Sequence, residues 1–335
     1  MATRQGLHTK SFALAAEGYS EAVGGAMSDE SVRQITEGWG AACEVQREAE
    51  AARVNAPAQR GEHPDTLRLM PVDPIQQQAN LSSDGAKLLI RGEGWKEVKL
   101  IAISAVSVQP ASQRASGSES TSRRARDPWV RLTRHSYQAG LWDVEAFARQ
   151  QYAEGVRRGL EQCAPLSSVN DGAEWIERTT RENFPTAIQV LDWSHVEERL
   201  GLVAQAALGV DSAAAHQWIE ARLDKLWQGK PHAVLSALRH LKAKAPRAAK
   251  VLVQDNIVYF QNQHERMHYD QYRATALPIG SGTVESAATT LVHLRLKRPG
   301  RGWARDNAQS MLAALSQLNS GRFDRTWRAL ADSPC

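Results

Sequence analysis

Asp84, in the segment SSDGAK, and Asp171, in VNDGAEW, each open an Asp-Gly pair at or near the end of a short serine-containing stretch of strand-like character. Glu285 lies in PIGSGTVESA, where glycines and hydroxyl residues lead into a helix and the surroundings are otherwise small and apolar. Oxygen ligands of this kind suit hard divalent cations. Carboxylates brought together from two strands and a helix could hold two ions about 3.5 to 4 Å apart, able to stabilise both oxygens of an in-line phosphoryl displacement. Such a site needs no cysteine, histidine or covalent nucleophile. Each residue also has a plainer explanation. Asp-Gly is first of all a turn signal. With Gly282 as N-cap, Glu285 falls at N3, where an acid favours the helix dipole by ~0.3 to 1 kcal/mol. Projected at about 100° per residue, Glu285 shares a face with Ala288, Thr289, Val292 and Leu296, a core-like setting where an unpaired carboxylate is costly.

The elements that must position these residues follow from periodicity. LSSDGAKLLIRGEGWKEVKLIAISAVSV contains two β-rich runs around a turn at Gly92 to Gly94, which predicts a hairpin. VRLTRHSYQAG predicts a third strand and DVEAFARQQYAEGVRRGL a helix. A fourth strand ends near VNDGAEW, the helical EWIERTTRENF follows, and TAIQVLDW is the fifth strand. Antiparallel strands followed by alternating helices and strands describe an α/β protein with a mixed five-stranded sheet. From Ser194 to about Asp270 every run reads helical, including one continuous helix over 231–267, and RDNAQSMLAALSQLN predicts a last helix. The organisation expected is a helical N-terminal segment over 1–60, a first catalytic part over 76–200, an all-helical insertion over 201–277, and closing helices over 278–325. In the N-terminal segment, SDESVRQITEGWG carries Ser28 as N-cap and Gly38 as a stop, so a helix-turn-helix reader of DNA and an ordinary helical hairpin are both open. Residues 60 to 75 read as a linker, and QPASQRASGSESTSRRARDP as an exposed loop.

A chain of 335 residues with 42% apolar content can build a sizeable core. No run approaches the roughly 18 apolar residues needed to span a bilayer, and the N-terminus lacks a signal-peptide core. Cys43, Cys163 and Cys335 are far apart, which leaves no disulfide framework or CxxC zinc site and fits a reducing cytoplasm. The net charge is +4, but its distribution is uneven. Arg239, Lys242, Lys244, Arg247 and Lys250 occur with no acid between them, and Arg295, Lys297, Arg298, Arg301 and Arg305 with no acid beyond Glu285. These stripes suggest a polyanion partner, although a charge run is more often a solvated face. HERMH at 264–268 fits the zinc-peptidase pattern, with His264 and His268 as ligands, Glu265 as base and Glu285 as a further ligand. Arg266 inside the motif and Asp270 after it argue for a surface helix instead.

Four blocks occur in an order that resembles bacterial insertion-sequence transposases of the ISKra type, within the DDE class with a ribonuclease H-like fold. They are DGAKLLIRGEGWKEVKLIAIS at 84–104, NDGAEWI at 170–176, FPTAIQVLDWSHVEERL at 184–200, and PIGSGTVESA with RGWARDNAQSMLAAL at 278–315. Singly weak, the four in order are specific and cover most of residues 80–320. The resemblance implies that Asp84, Asp171 and Glu285 form the acidic triad holding two Mg²⁺ or Mn²⁺ ions. A helical insertion before the last acid is familiar in Mutator-like and hAT-like relatives. DWSH resembles their Asp-x-x-His element, which puts Asp192 and His195 beside the site as supporting or DNA-contacting residues; capping the core is an equally good account of them. The implied activity is metal-dependent hydrolysis at the element's ends, then attack of the freed 3′-hydroxyl on target DNA. The implied partner is double-stranded DNA, as terminal inverted repeats and as target, bound by a homo-oligomer in a bacterial cytoplasm at the nucleoid. The two basic stripes and Arg33 would grip phosphates, and Trp303 would stack on a displaced base or, more simply, pack. Family members commonly have a longer N-terminal region, so the alternative expectation is a truncated or domesticated DNA-binding derivative without catalysis.

Overall fold

The computed structural model describes residues 1–59, 73–109, 129–298 and 300–332. The linker at 60–72 and nearly all of the Ser/Arg-rich segment, 110–128, lie outside the described residues. No helix among the described residues is long and apolar enough to cross a membrane.

The protein is a mixed α/β structure whose sheet starts with the expected hairpin. Strands β1 (Ala79–Ile90) and β2 (Gly94–Gln109) are antiparallel, joined by a turn in which Gly92 and Gly94 take φ of 77° and 76°. Only glycine enters that region without strain. Strand β3 (Trp129–Gly140) pairs antiparallel with β2, and helix α4 (Val144–Arg157) follows, its first turn capped by Asp143 accepting from the Ala146 N–H. Strand β4 (Leu166–Asn170), helix α5 (Glu174–Asn183) and strand β5 (Ile188–Leu191) complete the sheet, with β4 parallel to both β1 and β5. The spatial order is β3-β2-β1-β4-β5.

Alternation along β1 and β2 sorts the two faces of this sheet. Leu81, Ile101 and Ile103 join Phe147, Leu160, Leu166 and Phe184 on the α4 and α5 side. Ala86, Leu88, Val98, Leu100 and Ala102 face a second core built by the chain's two ends. The N-terminal contribution is α1 (Ala2–His8), α2 (Phe12–Val23) and the long α3 (Asp29–Gln59); the C-terminal one is α11 (Gly282–Ala288), α12 (Arg305–Asn319) and α13 (Phe323–Ala331). Gly38 does not end a helix as expected, since α3 runs through both Gly38 and Gly40. At Gly40 the reason is packing: a Cβ there would sit 2.3 Å from the Ser310 carbonyl of α12, so the glycine allows α3 and α12 to touch backbone to backbone.

Between β5 and α11 the chain is helical. Helices α6 (Trp193–Leu208), α7 (Ala213–Trp227), α8 (Pro231–Lys244), α9 (Lys250–Asn262) and α10 (Tyr269–Ala274) bury a core of their own, with Val203, Leu226, Leu238, Val253 and Phe260 at its centre, against Val169 of β4 and Val190 of β5. The single helix expected over 231–267 is broken. Ala245 is extended before Pro246, as a residue preceding proline prefers, and a 3-10 turn over Arg247–Ala249 restarts the helix.

Candidate active site at the carboxylate cluster

The parallel pairing of β1 with β4 places the first two acids. Leu81 stands opposite Ser168, the last pair of that ladder; Asp84 lies three residues further along β1, and Asp171 three residues further in the chain, just past the end of β4. The two acids leave that ladder in the same direction, and the charge of Asp171 acts on Asp84. Small polar residues tie the strands together on the way. Ser167 Oγ donates to Asn80 Oδ1 at 2.9 Å, and the Ser83 N–H to Asn170 Oδ1 at 2.7 Å. Asp84 belongs to the same alternating set as Ala86 and Leu88, whose side chains meet α11 and α12. The turn after Asp171 is held from the helical side. Tyr259 of α9 donates to the Asp171 carbonyl at 2.6 Å, and Gln263 Nε2 to the Gly172 carbonyl at 3.1 Å. Gly172 has φ 89°, and a Cβ would lie 2.7 Å from the Tyr259 hydroxyl, so position 172 requires glycine twice over.

Glu285 sits on α11, but not as the projection suggested. The helix begins at Gly282 with Ser281 as N-cap, and Glu285 is exposed rather than in a core-like setting. A π turn over Thr289–His293 follows immediately, so the helix changes phase. Val292 and Leu296 are buried, whereas Glu285 and Thr289 face outward. The Ser281 hydroxyl makes no cap bond to the helix. It donates to Asp192 Oδ2 at 2.6 Å, and it lies 3.2 Å from Glu285 Oε1.

Asp192 caps α6 and is fully buried. Its carboxylate accepts from the Ser194 hydroxyl at 2.7 Å and backbone N–H at 3.1 Å, and from His195 Nδ1 at 2.8 Å. Burial alone would raise its pKa, but the hydrogen bonds from His195, Ser281 and Ser194 prevail and hold it below the ordinary carboxylate value. An ionised carboxylate only accepts, so the Nδ1 of His195 carries the proton and Nε2 is left for the site. The bond to Asp192 in turn raises the His195 pKa, opposed by burial and assisted by the charges of Asp192, Asp171 and Glu285. Asp84 responds oppositely to its surroundings. Burial pushes its carboxyl up to about 6; the charges of Asp171 and Glu285 add to the rise, while the Gly85 N–H and the charge of His195 oppose it. Asp171, Glu285 and His195 thus lie near enough for their charges to act on Asp84, but among the described residues the three acids do not bring their ligand atoms within 4.8 Å of one another. One ligand atom each from Asp192, His195 and Glu285 lie within 4.8 Å of one another, so this trio could itself hold a metal ion. Ser194, Ser281, Tyr259 and Gln263 are the positioning residues that sequence reading missed. Ser281 alone had a signal, its place between the glycines that open α11.

The basic residues are placed unevenly. Arg239, Lys244, Arg247 and Lys250 are exposed at the junction of α8 and α9, and Lys242 reaches Gln254 at 2.6 Å. The second stripe is no uniform phosphate-gripping face. Arg295 is buried and donates to the Gly6 carbonyl, and Arg305 makes a forked pair with Glu93 at 2.6 and 2.9 Å. Arg33 pairs with Glu30 and Glu37. Lys297 is exposed over Trp95, and Arg298 and Arg301 border a cleft with Trp303, whose indole N–H donates to the Leu296 carbonyl. Trp303 therefore packs, as its simpler account had it. HERMH does not form the helix that a zinc-peptidase site requires: His264–Arg266 is a 3-10 turn, His268 is the N-cap of α10, and Arg266 is buried and donates to Val190 O. Glu285 bonds with Ser281 and Ser194 instead.

No protein-family model matches this chain, and no curated protein is similar to it.

Proposed function

We propose that the protein is a DNA transposase of the DDE class, of the ISKra type that its sequence blocks resemble, with a ribonuclease H-like core and metal-dependent phosphodiester chemistry at Asp84, Asp171 and Glu285. The observation that carries this reading is the parallel β1–β4 pairing, which ends three residues before Asp84 and Asp171, with Asp171 and Glu285 near enough for their charges to raise the Asp84 pKa. The strand order β3-β2-β1-β4-β5, antiparallel on one side of β1 and parallel on the other, supports the fold assignment.

The donor set fits Mg²⁺ or Mn²⁺. The three acids offer oxygen atoms, and among the described residues none of the three has a Lys or Arg partner at ion-pair distance. Ions bound there would supply positive charge to the attacking and leaving oxygens of a phosphate. The protein's own residues do the remaining work. Asp84 and Asp171 are fixed by the strands, and Glu285 is steered by Ser281. Asp192 holds the His195 ring through Nδ1, which leaves Nε2 free to give or take a proton near the scissile phosphate. The exposed cations at the α8–α9 junction would hold double-stranded DNA through its phosphates.

The test is cleavage and strand transfer on DNA carrying the inverted repeats that flank the coding sequence, with Mg²⁺ or Mn²⁺ present. Asp171→Ala is expected to abolish both steps and leave DNA binding intact. DNA binding without cleavage, unchanged by Asp171→Ala, would instead identify a DNA-binding derivative.

A further inference from the structure

A cleft of about 660 Å³ lies between the α1–α2 turn and the loop that precedes α12, away from the acids. Its wall includes Lys10, Arg91, Arg295, Arg298 and Arg301, with Phe12 and Trp303 beside them. Arg33 and Glu37 also line it but neutralise one another at 2.6 Å, with Asn307 donating to the same Glu37 carboxylate at 2.8 Å. Among the described residues, none of the other cations has a carboxylate at ion-pair distance. Arg295 is the most telling. It is only 6% exposed; its Nε donates to Gly6 O at 3.0 Å, its guanidinium lies 4.2 Å from the Phe12 ring centroid, and its Nη2 has no partner. A buried, unpartnered charged donor is costly unless something else satisfies it. The site is also firmly built. The Arg91 N–H donates to Trp303 O at 2.8 Å and the Trp303 N–H to Leu89 O at 3.0 Å, so the loop extends the sheet from the end of β1. A Cβ on Gly302 would press on Arg91 Cγ at 3.1 Å, and the absence of a side chain lets the loop close there.

We propose that this cleft binds a phosphate-bearing group of nucleotide size, held by Arg295, Arg298, Arg301 and Arg91, with its apolar part against Phe12 and Trp303. Guanidinium forks match phosphate oxygens, several unneutralised cations exceed what one carboxylate needs, and the volume falls within the roughly 300–1,000 Å³ of small-molecule sites. The phosphate could belong to a free nucleotide or to the 5′ end of a nucleic-acid strand. The cleft is independent of the metal-site reading: none of Asp84, Asp171, Asp192, His195 and Glu285 lines it.

Calorimetric titration of the full chain with pyrophosphate, with ADP, and with a short single strand bearing either a 5′-phosphate or a 5′-hydroxyl tests it. Arg298→Gln and Arg301→Gln avoid the buried Arg295, whose loss could unfold the region. Each is expected to weaken phosphate binding about tenfold, the scale of one charge-assisted hydrogen bond, while Arg328→Gln on the exposed side of α13 and Asp84→Asn leave it unchanged. Tighter binding of ADP than of the phosphorylated strand assigns the site to free nucleotides; tighter binding of the phosphorylated strand assigns it to strand ends. Three results would overturn the proposal: no phosphate binding tighter than about 1 mM, equal binding of the hydroxyl-ended strand, or equal weakening by Arg328→Gln. Unaltered binding in Asp84→Asn separates this outcome from any failure at the acidic site.

Discussion

Charged groups gather under the sheet in two places, and they are treated in opposite ways. Around Glu154 every charge is matched. Its buried carboxylate accepts from Arg157 Nη1 at 2.6 Å, from both Nη atoms of Arg322 at 3.1 and 3.2 Å, and from Gln138 Nε2 at 2.9 Å. Arg157 also pairs with Glu50 of α3. Burial opposes ionisation of Glu154, but the Arg322 and Arg157 charges overcome it and hold its pKa down to about 2. Around Asp84 the acids face one another, and burial with those like charges lifts Asp84 to about 6. A matched buried network joins α3, α4, β3 and the start of α13 into one body. An unmatched one is a standing cost that a bound cation would remove, which is why the second cluster, not the first, is the candidate site.

The contrast predicts stability effects of opposite sign. Glu154→Gln is expected to destabilise the fold most, by about 3–5 kcal/mol in urea denaturation, because it strands Arg157 and Arg322 in the interior. The Glu154 pKa is depressed, so its contribution is present above the unfolded value of 4.5 and fades as pH falls toward about 2. Asp84→Asn is expected to stabilise the metal-free protein by about 1–3 kcal/mol at pH 7 while abolishing catalysis. The raised Asp84 pKa means a destabilisation that is absent below the unfolded value of 3.8, grows as pH rises and is complete above about 6. The gain should therefore vanish in melts near pH 3.5. An Asp84→Asn protein less stable than the parent at pH 7 would remove the analogy between this cluster and a cation site.

Divalent ions sharpen the same comparison. In wild-type protein, Mn²⁺ at about 100 times its Kd should raise stability by about 2.7 kcal/mol, and a chelator should reverse this. Asp171→Asn should lose most of the shift, and Glu154→Gln should keep it. A shift that survives Asp171→Asn would place the ion elsewhere, with the Asp192, His195 and Glu285 trio the first alternative.

Strand alternation made the sheet readable in the sequence, because β1 and β2 are buried on two faces and each face has its own residues. Both Asp-Gly pairs carry a turn signal, but Asp84-Gly85 runs inside β1 opposite Leu100 and Lys99, and nothing local says that Tyr259 and Gln263 clamp the second pair, since those contacts cross 88 and 91 residues. Gly38 reads as a helix stop, yet α3 runs on through it to Gly40, where Ser310 of α12 packs. Glu285 was assigned the wrong face because a π turn, which leaves no clear trace in an apolar run, rephases the helix beyond it. The basic stripe at 295–305 was read as one surface, but Glu93 claims Arg305 and the N-terminal helices cover Arg295, partners far away in the sequence. Distant pairing, rather than propensity, is what the sequence concealed.

The smallest effect expected concerns Asp192, which lies between the two kinds of cluster: buried like Glu154, but neutralised mainly by hydroxyl, imidazole and backbone donors. Asp192→Asn keeps the shape while removing the charge that favours a protonated His195. The His195 pKa, now above 6.5, should fall, which NMR titration of the ring protons reads directly. The sign for stability follows. With a raised folded pKa, His195 contributes stability below 6.5 and loses it as pH rises through the folded value, so Asp192→Asn should lower stability more at pH 5 than at pH 9. If cleavage depends on a proton at Nε2, its pH profile should move acidward with the NMR value. A profile that stays put while the imidazole titration shifts would confine His195 to holding Asp192 and Ser281 in place, and leave the proton transfers to water and the three acids.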